Sequence, residues 1–143
     1  MTGGQMTIGA VVPVLTRTIE QPDMIAYAGA TWDWHKLHYD HEYLESKRLD
    51  RAVVDGQVFG ALIAESIQDW LGARVQISKL HFRFKNLVFA GETIKVRGAV
   101  TAIEPLEDGS GRLRLTIESE VLVVGEDKRV AVAPAGATVI WQP

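Results

Sequence analysis

The ten residues from Thr31 to Asp40 carry an unusual density of groups that could do acid/base chemistry. Carboxylates stand at Asp33 and Asp40, and imidazoles stand at His35 and His38, with two tryptophans and a tyrosine among them. A carboxylate and an imidazole in the same short segment, set among aromatic rings, are the groups that proton transfer near neutral pH requires. Asp33 and His38 are therefore the first candidates for catalytic residues.

Structural roles compete with the catalytic interpretation at each of these positions. Asp33 could simply shape the loop, and His38 could be a hydrogen-bonded structural histidine. We expect Asp40 to cap a following helix and His35 to be a loop residue or pocket wall. A zinc or iron site made of these four side chains is the less favoured alternative, since imidazole and carboxylate suit both metals. Because no further ligand cluster appears in the sequence, we expect no metal.

Composition excludes several classes of function. The net charge of −3 over 143 residues argues against broad electrostatic attraction to nucleic acid. Cysteine is absent, which excludes disulfides, thiolate catalysis and sulfur-bound zinc. The sequence has no apolar run long enough to span a membrane, and its first residues lack the features of a signal peptide. We therefore expect a cytoplasmic protein.

Three helices are expected to flank and position the candidate loop. A short helix is predicted over residues 21–28, with Gly29 at its end. Asp40 should cap a brief, exposed helix over residues 41–45. A longer helix over residues 57–70 has a wide apolar surface, and it is therefore expected to be buried.

The remaining segments predict long strands joined by short turns. Their alternation of apolar and polar residues predicts strands over residues 7–19, 77–85, 93–102, 112–124 and 129–141. Short turns between successive strands favour an antiparallel meander. One buried helix with such a sheet gives an α+β fold of the hot-dog type, expected as a single domain over residues 1–143 with residues 1–6 disordered. Uncovered sheet edges favour a homodimer.

Three segments together resemble a known family. Asp33-x-x-x-x-His38 resembles the Asp-x-Asn-Pro-x-His signature of the (R)-specific enoyl-CoA hydratases, the MaoC-like dehydratases of the hot-dog superfamily. Val54-Asp55-Gly56-Gln57 stands where that family opens its long helix with a His-Gly-Met or similar turn. Residues 81–93 are similar to its Phe-Arg strand and the Pro-Gly-Asp turn that follows. The resemblance covers residues 8–140.

The chain departs from the signature in the middle of the motif. His35 and Lys36 stand where Asn and Pro are usual, and Thr31-Trp32 replaces Ser-Gly before the aspartate. Such variants resemble a branch of small MaoC-like proteins, of which some act on bulky acyl-CoAs and some work as heteromers. The acyl group and the partner therefore stay open.

The resemblance implies reversible hydration of a 2-enoyl-CoA to a 3-hydroxyacyl-CoA, with no cofactor other than the coenzyme A of the substrate. Asp33 and His38 would jointly hold one water and return a proton to C2, and their coupled titration leaves the order of roles open. The backbone N–H of Gly56, at the start of the buried helix, would stabilise the enolate oxygen. Further residues expected at the substrate are Tyr27, Trp32 and Trp34 for the acyl group, and Arg83 and Lys85 for the phosphates of coenzyme A.

Other interpretations of these residues stay open. A hot-dog thioesterase would use a carboxylate on or near the long helix, at Asp55 or Glu65. A non-catalytic subunit could bind acyl-CoA or support a catalytic partner, so that a heteromer is the alternative to a homodimer or higher homo-oligomer. The aromatic residues could be plain core, and Arg83 and Lys85 could belong to a solvated sheet face.

Overall fold

The protein is described by a computed structural model over residues 5–125 and 127–143. Its helices are α1 (Gln21–Thr31), α2 (His41–Ser46) and α3 (Gln57–Leu71). Its strands are β1 (Val11–Thr18), β2 (Val75–Phe84), β3 (Thr93–Pro105), β4 (Leu113–Val123) and β5 (Val130–Trp141). Short 3₁₀ helices span Lys36–His38 and Gly72–Arg74. Of residues 1–6, which we expect to be disordered, 1–4 lie outside the described residues and Met6 is buried in the core.

The five strands form one antiparallel sheet in the order β1-β3-β4-β5-β2. The predicted α+β architecture is confirmed. The predicted meander is confirmed for β3, β4 and β5, but it is wrong for β2, which pairs with β5 rather than with β3. The segment after β2 does not turn back on itself. Instead Val54 N–H donates to Val88 O at 2.8 Å, and Ala90 N–H donates to Ala52 O at 2.9 Å. These bonds hold the segment between β2 and β3 beside the residues that precede α3.

Helix α3 packs on one face of the sheet and fills the core. Ile63 and Ile67 are completely buried, which confirms the prediction that this helix does not lie on the surface. At Gly60 the helix backbone approaches the ring of Phe82 on β2 so closely that a Cβ would come within 2.5 Å of it. Within the described residues, no helix is long and apolar enough to cross a membrane.

The two short helices differ from expectation in detail. Helix α1 continues beyond Gly29 to Thr31, whose hydroxyl donates to Tyr27 O at 2.8 Å. It ends instead at Trp32, which has the left-handed backbone angle φ of 59°. Helix α2 begins where predicted, because Asp40 Oδ1 accepts the Tyr43 N–H at 3.0 Å. Its Leu44 is buried, however, so α2 is anchored to the core rather than wholly exposed.

Candidate active site

The loop between α1 and α2 holds His38 in a fixed orientation. The 3₁₀ turn that carries it begins at His35, whose Nδ1 accepts the Leu37 N–H at 3.1 Å. His38 Nδ1 lies 2.7 Å from Val53 O, and its own carbonyl accepts a hydrogen bond from Gln21 Nε2 at 3.0 Å. A carbonyl oxygen can only accept, so Nδ1 carries the proton. In the neutral imidazole, Nε2 therefore keeps its lone pair and can accept a proton.

Asp55 lies two residues before the first residue of α3 and is the most buried ionisable side chain of this region. Its Oδ1 accepts the Gln57 N–H at 2.9 Å, and its carbonyl oxygen accepts the Val58 N–H at 3.1 Å. Only 8% of the residue is exposed. The second carboxylate oxygen, Oδ2, is buried without a hydrogen-bond partner in the described part of the chain. A buried carboxylate oxygen without a protein partner is rare in folded proteins, and this one is free to accept a hydrogen bond from a bound molecule.

Asp33, His38 and Asp55 come together although they lie on three different segments. One ligand-type atom from each of them lies within 4.8 Å of the other two. The group runs from the exposed Asp33 through the half-buried His38 to the buried Asp55. Asp33 is oriented by its own loop, since its Oδ1 accepts the His35 N–H at 3.3 Å. The three side chains therefore form an acid/base cluster that opens toward solvent at Asp33.

Tyr27, on α1, lies close enough to the cluster for the charges of both carboxylates to affect its hydroxyl group. Burial raises the pKa of its hydroxyl above the usual value, and the negative charges of Asp55 and Asp33 raise the pKa further. The phenol therefore stays protonated throughout the physiological pH range. The phenol O–H can therefore donate a hydrogen bond.

A cavity of about 280 Å³, called the inner cavity below, adjoins His38. It is lined by Leu37, His38, Val53, Val54, Gly56, Phe59, Phe84, Lys85, Asn86, Leu87 and Val88. Asp55 satisfies the N–H groups of Gln57 and Val58, while the Gly56 N–H has no acceptor among the described residues. A Cβ at Gly56 would overlap the ring of Phe84. Glycine thus lets the start of α3 stand directly at the wall of the cavity.

The other predicted site residues are distributed unevenly around the inner cavity. Lys85 lines it, whereas Arg83 does not. Trp32 is 79% exposed and stacks edge-on against Trp34, with ring centroids 5.9 Å apart. Neither tryptophan belongs to the buried core, so the plain-core interpretation does not describe them.

Two further residues of the motif have local structural roles. Asp40 caps α2, and His35 caps the 3₁₀ turn. The metal set of two histidines and two aspartates is therefore not assembled as the alternative required. Asp55 takes the place of His35 and Asp40 in the cluster that does form. The sequence signal for Asp55 is a carboxylate directly after the apolar run Ala52-Val53-Val54.

A larger groove of about 630 Å³, called the outer groove below, lies on the other face of the sheet. Its lining includes Val11, Val14, His81, Arg97, Glu120 and Pro134. Side chains alternate along a strand, and Phe82 faces α3, so His81 points away from the helix. The outer groove is therefore separated from the Asp33 cluster by the sheet itself.

The family model described as MaoC like domain matches residues 5–121, which is well over half of the chain. The chain belongs to the MaoC-like family. The matched residues include the whole acid/base cluster and the inner cavity of this MaoC-like domain. The family resemblance inferred from the motif is confirmed.

One curated relative is similar to part of the chain. The mitochondrial 3-hydroxyacyl-[acyl-carrier-protein] dehydratase of Arabidopsis thaliana is 30% identical over 89 residues, which are 62% of this chain and 51% of the relative. The MaoC-like chain thus spans about half the length of the curated relative it matches.

The solved structures confirm the hot-dog fold. The (R)-hydratase from A. caviae involved in PHA biosynthesis superposes with a TM-score of 0.81 at 21% identity, covering 99% of this chain and 100% of that one. A chain of the ChsH1-ChsH2 complex from Mycobacterium tuberculosis gives a TM-score of 0.77 at 21% identity, covering 97% and 100%.

Proposed function

We propose that this MaoC-like domain catalyses reversible hydration of a 2-enoyl thioester to a 3-hydroxyacyl thioester. The observation that carries the proposal is the approach of Asp33 and His38 to within 4.8 Å beside the inner cavity, with His38 Nε2 able to accept a proton. Membership in a family of hydratases and dehydratases supports the same reaction class.

The reaction needs a base for water and an acid for C2, and His38 can serve as both in turn. Its Nε2 takes a proton from water as the water oxygen bonds to C3. The π electrons of the double bond move toward the thioester oxygen, giving an enolate. The imidazolium then returns the proton to C2 on the same face. Asp33 stabilises the imidazolium charge while it exists. Groups in such roles typically contribute about 10²–10⁴-fold in rate each.

The enolate oxygen requires a donor, and Gly56 is the proposed one. Its N–H stands at the start of α3, where the dipole of the helix favours negative charge. It lines the inner cavity together with His38. Donors of this kind contribute most when they are fixed before the charge develops, as the packing of Gly56 against Phe84 ensures.

We propose that the thioester is carried by coenzyme A rather than by acyl carrier protein. Lys85 at the cavity is placed to meet a phosphate group, with Arg83 further away on the same strand end. Tyr27, Trp32 and Trp34 are the proposed contacts of the acyl group beyond C3. The exposure of both tryptophans supports an acyl group that extends past the 280 Å³ of the inner cavity.

We propose that the domain works with a second subunit. Three apolar side chains near the site are strongly exposed, namely Trp32 (79%), Phe84 (55%) and Leu87 (51%). Covering such side chains favours association. A second copy of the chain is the simplest partner, and a different MaoC-like subunit is the alternative, since one similar structure is described as a complex of two named components.

Thioester hydrolysis is the second candidate function, and the buried carboxylate of Asp55 is the observation that favours it. Glu65 is a weaker candidate for that role, because its carboxylate is paired with Arg17 at 2.5 Å. Incubation with short, medium-length and bulky enoyl-CoAs separates the two reactions. Loss of the enoyl absorbance without release of free thiol supports hydration. Thiol release supports hydrolysis, and the absence of both reactions would refute the proposed function.

A further inference from the structure

Asp55 is the one residue of the acid/base cluster that the proposed mechanism leaves without a role. Its Oδ1 is engaged by the start of α3, while Oδ2 is buried and unpartnered among the residues that the structure describes. Burying a carboxylate oxygen without a partner destabilises the folded protein. Such an atom is retained most readily where a bound molecule completes its hydrogen bonding.

The geometry of the cluster allows one water molecule to contact all three side chains. Three atoms that lie no more than 4.8 Å apart can all be reached from one central point at about 2.8 Å. That distance is the usual separation for a hydrogen bond between water and a carboxylate or an imidazole. A water oxygen at this point would lie within hydrogen-bonding distance of His38 and of both carboxylates, and its two O–H groups could donate to two of the three. Because His38 Nδ1 is engaged with Val53 O, Nε2 is the imidazole nitrogen that is free to accept from the water.

A water that adds to a double bond has two O–H groups, and each needs an acceptor. One proton passes to His38 Nε2, while the other stays on oxygen and becomes the hydrogen of the product hydroxyl. We propose that Asp55 is a third catalytic residue of this domain, whose Oδ2 accepts the hydrogen bond from the O–H group that is not broken. This inference rests on the hydration reaction proposed above.

The complete step balances with Asp55 unchanged. The water O–H bond to the transferred proton breaks, the O–C3 bond forms, and the π electrons move to the thioester oxygen. The proton returns from His38 to C2 as the enolate collapses, so that one water is added in total. In the reverse direction, Asp55 holds the 3-hydroxyl group in the orientation from which it leaves. Fixing the lone pairs of the attacking oxygen toward C3 is the contribution of Asp55 to the rate.

Asp55→Asn tests this role without removing the helix cap. The amide oxygen of Asn still accepts the Gln57 N–H, but an NH₂ group, which only donates, then replaces Oδ2. We expect kcat for enoyl-CoA hydration to fall about 10²-fold, with KM almost unchanged and with Tm within about 3 °C of wild type. Asp55→Ser, which also caps a helix well, should show the same loss of kcat and serves if the Asn variant fails to fold.

Asp40→Asn is the matched control, because it makes the same chemical change at an aspartate that caps α2 and pairs with Lys36 at 3.9 Å outside the cluster. It should keep wild-type kcat. An active wild type with equally active Asp55→Asn and Asp55→Ser variants would overturn the role of Asp55 and leave the proposed function standing. A wild type inactive on every enoyl-CoA would overturn both.

Dialysis against a chelator distinguishes a bound water from a bound metal ion at the same three residues. If dialysis against a chelator abolishes wild-type activity and Mn²⁺ or Zn²⁺ alone restores it, Asp55 is a metal ligand and the proposal is wrong. We expect the activity to be unchanged by the chelator and by both metals, and Asp55→Asn to be equally impaired under all these conditions.

Discussion

The inner cavity and the outer groove lie on opposite faces of one sheet. They differ in whether the polar side chains beside them have hydrogen-bond or ion-pair partners. In the outer groove, Arg97 Nε–H donates to Glu120 at 2.5 Å, so that these two charges are paired. Asp55 lies between Val54 and Gly56, which both line the inner cavity, and its Oδ2 is buried without a partner in the described residues. The outer groove is the larger, at about 630 Å³ against about 280 Å³. Unpaired polar atoms, rather than volume, therefore distinguish the face for which we propose the reaction.

The difference has its origin in how each concavity is built. The outer groove is a sheet surface, where neighbouring strands place opposite charges side by side. The inner cavity lies where the loop of His38, the start of α3 and the segment after β2 converge. The backbone N–H groups at the start of a helix have no partner within the helix, as at Gly56 before α3. Such groups are free to donate to a bound molecule.

The largest expected effect is that of removing His38, and His81 on the other face of the sheet provides the comparison. His38→Ala should lower kcat/KM for enoyl-CoA hydration about 10²–10⁴-fold, because the proton acceptor is lost. Asp33→Asn should lower kcat/KM by a factor in the same range. His81→Ala, in the outer groove, is the matched control and should change kcat/KM less than about twofold, since surface substitutions of this kind have small effects. Equal losses at His38 and His81 would remove the distinction between the faces.

Gly56, just before α3, and Gly60, within it, both lie against phenylalanine rings. Substituting each one distinguishes an effect on packing from an effect on catalysis. Gly56→Ala and Gly60→Ala both force a Cβ into a ring of β2, and each should destabilise the protein by about 1–3 kcal/mol. Only Gly56 lines the inner cavity. Displacement of its N–H should therefore cost Gly56→Ala roughly tenfold or more in kcat beyond the loss in Gly60→Ala. Urea unfolding and steady-state kinetics on both variants measure this difference, and equal kcat values would exclude Gly56 as the oxyanion donor.

A smaller effect is expected from the basic residues at the end of β2. Lys85→Ala should raise KM for an enoyl-CoA about 2- to 5-fold, as for a partly exposed ion pair with phosphate. Arg83→Ala should raise it less, because Arg83 does not line the cavity. Added salt should shrink the Lys85 effect through screening. A larger KM increase for Arg83→Ala than for Lys85→Ala would move the coenzyme A phosphates to the face of the outer groove.

The smallest expected effect is in the titration of Tyr27. Its raised pKa means that the folded protein keeps the phenol proton at a pH where the unfolded chain, with a pKa of about 10, has lost it. This term therefore destabilises the fold as the pH rises above about 10. Asp55→Asn should lower the Tyr27 pKa, and Asp33→Asn should lower it less. Tyrosinate absorbance, with Tyr27→Phe to identify the signal, measures both shifts, and unchanged titration in Asp55→Asn would place Asp55 too far from Tyr27.

Much of the fold could be predicted because hydrophobic patterning reports burial directly. The buried helix α3 and the long strands follow from such patterns, as Ile63 and Ile67 illustrate. The pairing of β2 with β5 could not be predicted in this way. It depends on contacts between segments distant in the sequence, such as Val75 opposite Trp141, and local periodicity does not encode them.

The candidate site was predictable where its residues are close in sequence. Asp33 and His38 share one motif, so their proximity follows from local chain geometry. Asp55 lies on another segment, and its approach depends on the hydrogen bond between His38 Nδ1 and Val53 O. From the sequence, Asp55 is a candidate only for the carboxylate of a thioesterase, because nothing in the sequence shows that it lies near Asp33 and His38.

The fate of the water oxygen tests the central claim most directly. The wild-type protein is incubated with a short enoyl-CoA in water labelled with heavy oxygen, and the products are analysed by mass spectrometry. The account predicts one heavy oxygen in the 3-hydroxyl group of an intact acyl-CoA, with no label in a carboxylate. Label confined to a released free acid, or no label in any product, would contradict the assignment of the Asp33–His38–Asp55 cluster as a hydration site.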